Sequence, residues 1–201
     1  MKLLNHSKAD KPDAILLIRE LNQKEKDIQL NYTKLSPAIN MFSIGLAYND
    51  QGKCPVSVMK PHCEDLLKTV KFLGCKVLLV ADASYFKYLT KVKKVAPHHG
   101  YILNCKLKGY EDIKVILSIT YTALFHNPGL QLELDLSLAT LSSCLAGTHV
   151  NIGTNILRNV HYPVHPNTIA EALDKLHEHP TLTCDIETLS LIHISEPTRP
   201  Y

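Results

Sequence analysis

The chain has 201 residues, of which 45% are apolar and 20% charged, and a formal net charge of +3. This is the composition of an ordinary soluble globular chain, long enough for one domain and the beginning of another. The slight charge does not by itself argue for nucleic-acid binding, and no apolar run reaches the length of a membrane span.

Six cysteines, Cys54, Cys63, Cys75, Cys105, Cys144 and Cys184, are scattered without a C-x-x-C pair, and no signal peptide precedes them. Reduced thiols in a cytoplasmic protein are therefore expected, rather than disulfides or zinc sites. There is no internal repeat and no low-complexity tract.

In chain order, Ala14 to Ile18 is a continuous apolar run, either a buried strand or the core of a short helix. The Lys/Glu-rich stretch from Asn22 to Asp27 reads as a solvated face. Met41 to Ala47 is expected to be a strand running into the turn-rich loop Tyr48 to Pro55. Lys60 to Leu73 has apolar residues at helical spacing, with Pro61 tolerated near its start and Gly74 as the C-terminal cap. Lys76 to Ala81 then reads as a buried strand of a parallel sheet, and Asp82-Ala83-Ser84 opens a short helix from Tyr85 to Leu89. Lys87, Lys91, Lys93 and Lys94 form a basic cluster, either a solvated face or a contact for DNA. His98-His99-Gly100 reads as a turn. Ile113 to Ile119 is a second core strand, and a helix is expected from about Gln131 to Leu145. Helix, strand, helix and strand joined by short connections predict a layered α/β domain with a mostly parallel sheet over residues 1–147.

From Gly147 the composition shifts, and Pro163 and Pro166 mark residues 148–167 as a linker. Asn167 or Thr168 can cap a helix from Ile169 to His177, with Ile169, Leu173 and Leu176 on one stripe and Pro180 as the stop. Thr181 to Thr188 follows, an alternating stretch ending in Asp185-Ile186-Glu187-Thr188. On a strand, residues i and i+2 share a face, so Asp185 and Glu187 would project together and could share a divalent cation.

Asp-Ile-Glu-Thr at the end of a short hydrophobic strand resembles the first motif of the DnaQ-like 3′–5′ exonucleases, especially the proofreading domain of family A DNA polymerases of phage type. The resemblance implies that Asp185 and Glu187 are catalytic carboxylates holding Mg²⁺ or Mn²⁺, and that residues 168–188 begin an RNase H-like exonuclease domain. It implies DNA as partner, together with replication proteins or a processivity factor, no membrane, and, for a phage-encoded enzyme, the host cytoplasm. The tail from Leu189 to Tyr201 reads as the translation of a sequencing-library transposon adaptor. The chain is thus expected to be a fragment whose natural sequence stops near Thr188.

The order from Cys63 to Pro128 also resembles the uracil-DNA glycosylase superfamily fold. A helix precedes a Lys-Val-Leu-Leu-Val strand, a small residue follows at the next helix start, and Phe125-His126-Asn127-Pro128 stands in the place of a His-Pro-Ser-like loop. His126 could then contact a flipped base, or be a turn histidine beside Asn127-Pro128. The Gly-x-Asp/Glu-Pro-Gly catalytic loop is absent; Gly45 to Asp50 comes nearest, without a proline after an acid. An inactive domain of this shape ahead of a polymerase is the expectation. The alternative is a glycosylase-like or non-catalytic module that binds DNA or protein.

Overall fold

The computed structural model describes residues 2–7, 9–33, 39–151 and 163–180. The chain forms two compact units, Met1–Asn155 and Ile156–Tyr201.

The first unit is an α/β domain around one six-stranded sheet. Its strands are β1 (Leu3–Asn5), β2 (Ala14–Arg19), β3 (Met41–Leu46), β4 (Val77–Val80), β5 (Ile102–Asn104) and β6 (Lys114–Leu117), in the spatial order β1-β3-β2-β4-β6-β5. The four inner strands are parallel, with Leu17 opposite both Ile44 and Val80, and Leu79 opposite Ile116. β1 and β5 close the two edges antiparallel. The sheet is therefore mixed, parallel at its centre and antiparallel at its rims.

Among the described residues, four α-helices cover the sheet: α1 (Glu25–Tyr32), α2 (Val56–Phe72), α3 (Ala83–Thr90) and α4 (Gln131–Leu145). Alternate residues of each strand go to opposite cores. Ile15, Leu17, Ile44, Leu78, Val80 and Val115 pack with Leu66 and Val70 of α2 and Phe86 and Leu89 of α3. Ala14, Leu16, Ile18, Leu79 and Ile116 pack with Ile28 and Tyr32 of α1 and Leu134, Leu138 and Leu141 of α4. Burial on both faces explains why the inner strands read as unbroken apolar runs, and why Ala14–Ile18 is a strand.

The helix ends follow local chemistry. Asp82 caps α3, its Oδ1 accepting from the backbone N–H groups of Ser84 (2.8 Å) and Tyr85 (2.9 Å). Gly74 (φ +69°) closes α2: its N–H donates to Lys71 O (3.0 Å) and that of Cys75 to Val70 O (3.1 Å), the paired Schellman arrangement. Pro61 lies inside α2 rather than at its start, because the helix begins at Val56, directly after Pro55 in extended conformation. The Lys/Glu-rich stretch after β2, expected as a solvated face, turns into α1, which buries only Ile28 and Tyr32. Asn151, expected in a linker, is tied to the first unit: its side-chain amide accepts from Ile102 N (2.8 Å) and donates to Ile102 O (3.1 Å).

In the second unit the described helix is α5 (Pro166–Leu176), capped at His165 rather than at Asn167 or Thr168. Thr168 serves instead as the reciprocal partner three residues in, its hydroxyl accepting from His165 N at 3.3 Å.

Candidate functional site

The chain leaves β2 through α1 to reach β3 on one side, and returns from β3 through α2 to β4 on the other. The connections therefore diverge at the carboxyl ends of β2 and β4. In open α/β sheets that divergence opens a crevice where ligands bind. At these strand ends stand Arg19, the last residue of β2, with Glu20 next, Tyr48 to Gly52 after β3, and Asp82 after β4.

An open cleft of about 270 Å³ lies at the ends of β2 and β3, lined by Arg19, Glu20, Tyr48, Asn49, Asp50 and Gly52 among others; the β4 side touches it only through the hydrogen bond between Tyr48 and Asp82. The Arg19 guanidinium stacks on the Tyr48 ring, 4.4 Å from its centroid. The Tyr48 hydroxyl donates to Asp82 Oδ2, so both oxygens of this carboxylate are engaged. Burial, reinforced by the Asp82 hydrogen bond, pushes the Tyr48 phenol far above its ordinary range and keeps it a donor. The loop after β3 turns back on itself, with Asn49 N donating to Lys53 O (2.9 Å) and Gly52 N to Asn49 O (2.8 Å). Gly52 has φ +70°, and a Cβ there would come within 2.9 Å of the Arg19 guanidinium. A side chain there would be strained by the positive φ and would push the guanidinium aside.

Beneath the cleft, Tyr85 donates its hydroxyl to Ala47 O at 2.9 Å, and His62 Nε2 lies 3.1 Å from Gly45 O. Burial lowers the His62 pKa, with the Gly45 carbonyl opposing, so the neutral ring donating from Nε2 suits this position. Farther along the same sheet end, the Asn22 amide donates to Thr120 Oγ1 (3.1 Å) and Thr122 Oγ1 (3.3 Å). Tyr32 of α1 donates to Ile119 O (2.7 Å) and accepts from Tyr121 N (3.0 Å), pinning the segment after β6. Chemically, the cleft offers one guanidinium, two carboxylates at its rim and an amide. Asp82, holding both a helix cap and a tyrosine, is not free to act as a general base. The arrangement is suited to holding a small polar ligand rather than to activating a water.

Of the site residues predicted from sequence, Lys87, Lys91, Lys93, Lys94 and His126 do not line this cleft. Asp185 and Glu187 lie outside the described residues. Lys87, Lys91, Lys93 and Lys94 are all exposed. They lie at and beyond the C-terminal end of α3, whose other end carries Asp82. His126 is also exposed, at the end of a 3₁₀ turn spanning Tyr121–Phe125, well past the end of β6. The following turn is as expected, with Asn127 Oδ1 accepting from Gly129 N at 3.1 Å. His98 and His99 part: His98 packs edge-on to Tyr101, while His99 Nε2 lies 3.5 Å from Glu133 Oε2. Among the described residues no group of three or more His, Cys, Asp or Glu side chains could hold a metal ion. The five described cysteines are free thiols. No described helix is long and apolar enough to cross a membrane.

Sequence reasoning missed Arg19, Tyr48 and the cleft role of Asp82. The available signal was position, since each is a polar residue at or just after the end of a buried parallel strand. No protein-family model and no curated protein matches this chain.

Proposed function

We propose that this chain is the N-terminal part of a DNA-directed DNA polymerase with 3′–5′ proofreading, and that its first unit is a non-catalytic α/β domain of uracil-DNA glycosylase-like shape. The observation that carries the reading is Asp185-Ile186-Glu187-Thr188, preceded by α5 and by Pro180. Two carboxylates one residue apart are hard oxygen donors, and that donor set fits Mg²⁺ or Mn²⁺. Asp185 and Glu187 would hold the ions, which when bound supply an activated water and stabilise the charge on the leaving oxygen. DNA is the substrate of this reading, with replication proteins or a processivity factor as partners.

The glycosylase-like shape is supported by α2 preceding β4 and by small Ala83 at the start of α3, after the Asp82 cap. The non-catalytic character is supported by the engaged Asp82 carboxylate and the exposed His126.

Two carboxylates are only part of a two-metal donor set, so the purified 201-residue chain is expected to leave single-stranded DNA intact in Mg²⁺ or Mn²⁺. Metal-dependent digestion abolished by Asp185→Ala would contradict that expectation. Reading the source DNA onward from the codon for Thr188 tests the wider proposal. An open frame with further exonuclease carboxylates and a polymerase palm supports it, and a native stop codon soon after Thr188 defeats it. Release of uracil from uracil-containing DNA would instead favour an active glycosylase.

A further inference from the structure

Residues 83–110 contain six lysines, Lys87, Lys91, Lys93, Lys94, Lys106 and Lys108, and not one of the chain's 19 Asp and Glu residues. Since the whole chain is only +3, the remainder is net acidic, and the positive charge is concentrated in this span. The fold brings the two ends of the basic span together at the last turn of α3. Lys91 follows Lys87 by one helical turn, its N–H donating to Lys87 O at 2.8 Å. Lys106 N donates to Leu89 O at 2.7 Å, which lays the segment after β5 against the last turn of α3. Lys93 and Lys94 follow in the bend just beyond.

All six lysines are exposed. Among the described residues none of them forms an ion pair; the lysines that do are Lys68 with Asp65 and Lys76 with Asp112. Lys91 instead places its ammonium 4.1 Å from the centroid of the Tyr88 ring. Two carboxylates border the patch: Glu64 of α2, which acts on the same tyrosine, and Glu111, whose Oε2 accepts from Gly109 N at 2.9 Å beside Lys108.

We propose that this lysine face is a sequence-independent docking surface for the phosphate backbone of a nucleic acid. A row of ammonium groups without carboxylate partners is the electrostatic footprint of such binding, because each phosphate neutralised releases condensed counterions. An anionic membrane is the weaker match. Surface-binding segments add apolar side chains that enter the acyl boundary, and none of the exposed large apolar residues falls between residues 83 and 110. The proposal rests on charge and placement alone, and holds whether or not Asp185 and Glu187 belong to an exonuclease.

The test is fluorescence anisotropy of labelled single-stranded and duplex oligonucleotides with the full chain, in EDTA, from about 50 to 200 mM salt. The decisive variant is K87E/K93E/K94E/K106E, which spares Lys91 and its left-handed backbone (φ 59°). The control is K11E/K24E/K26E/K53E, with the same change in net charge at exposed lysines elsewhere. The proposal expects the decisive variant to weaken binding at least about tenfold and to flatten the salt slope by about one for each phosphate no longer neutralised, with the control changed by less than about threefold. Circular dichroism confirms that both variants fold; should the quadruple variant not fold, K93E/K94E in the bend beyond α3 carries the same prediction at about half the slope change. Equal weakening in both variants, absent binding to either oligonucleotide, or binding only to vesicles of anionic lipid would overturn it.

Discussion

Asp82 joins two structures through one carboxylate: Oδ1 caps α3 and Oδ2 receives the Tyr48 hydroxyl. Asp82→Ala removes both, and is expected to cost about 2 kcal/mol in urea unfolding, with Tyr48→Phe costing about 1 kcal/mol. The double variant should cost less than the sum, because the two share a hydrogen bond. Two histidines set a pH response. Burial lowers the pKa of His6, whose Nε2 lies 2.6 Å from the Ser43 hydroxyl, against the opposing charge of Glu25; burial likewise lowers that of His62. Both are neutral in the folded chain where their unfolded counterparts already bind protons. Stability is therefore full above the ordinary histidine pKa of about 6.5 and is lost as pH falls below it. Thermal melts at pH 7.5 and 5.5 should show that drop, and His6→Gln with His62→Gln should reduce it. An unchanged pH dependence in the double variant would exclude these histidines as its source.

At the level of elements, two glycines separate backbone strain from close approach. Gly74 and Gly52 both have positive φ, but a Cβ at Gly74 would meet nothing within 4 Å, whereas at Gly52 it meets Arg19. Gly74→Ala is expected to cost about 1 kcal/mol, from the left-handed backbone alone. Gly52→Ala should cost at least as much and should also displace the Arg19 guanidinium from Tyr48. Chemical denaturation reads the first effect, and the fluorescence of Tyr48, compared with a Tyr48→Phe background, reads the second. Strand β4 carries the centre of the sheet, and Leu79 is fully buried in one of its two cores. Leu79→Ala is expected to destabilise by about 2–5 kcal/mol.

For the whole first unit, thiol chemistry reports on packing. Cys63, Cys75, Cys105 and Cys144 are buried, and Cys54 is half-buried. Burial pushes all five thiols up, that of Cys63 to about 12, so little thiolate is present at neutral pH. Among the five described cysteines, labelling with an aromatic disulfide should modify Cys54 first. The other four should react together, at the rate at which the unit opens as a whole. Independent fast labelling of Cys63 or Cys105 would mean that the core between α2, α3 and the sheet opens locally.

Sequence alone determined the layered α/β class, the strands at Met41, Val77 and Lys114, a helix opening at Asp82–Ser84, the cap at Gly74, and the start of α4 at Gln131. These features depend on apolar runs, turn chemistry and capping, all local properties that neighbouring residues carry. It left open whether Ala14–Ile18 was strand or helix, because a continuous apolar run has no period to read; burial on both faces settled that. The edge strands β1 and β5 were missed because three residues are too few for a pattern, and pairing with β3 and β6 is what makes them strands. α1 was missed because its sequence is mostly polar, and only Ile28 and Tyr32 reach the core. The cleft was the least legible feature of all. Arg19, Tyr48 and Asp82 are separated by dozens of residues and meet only because parallel strands end at the same side of one sheet. That adjacency is a property of strand order, which no local stretch of sequence encodes.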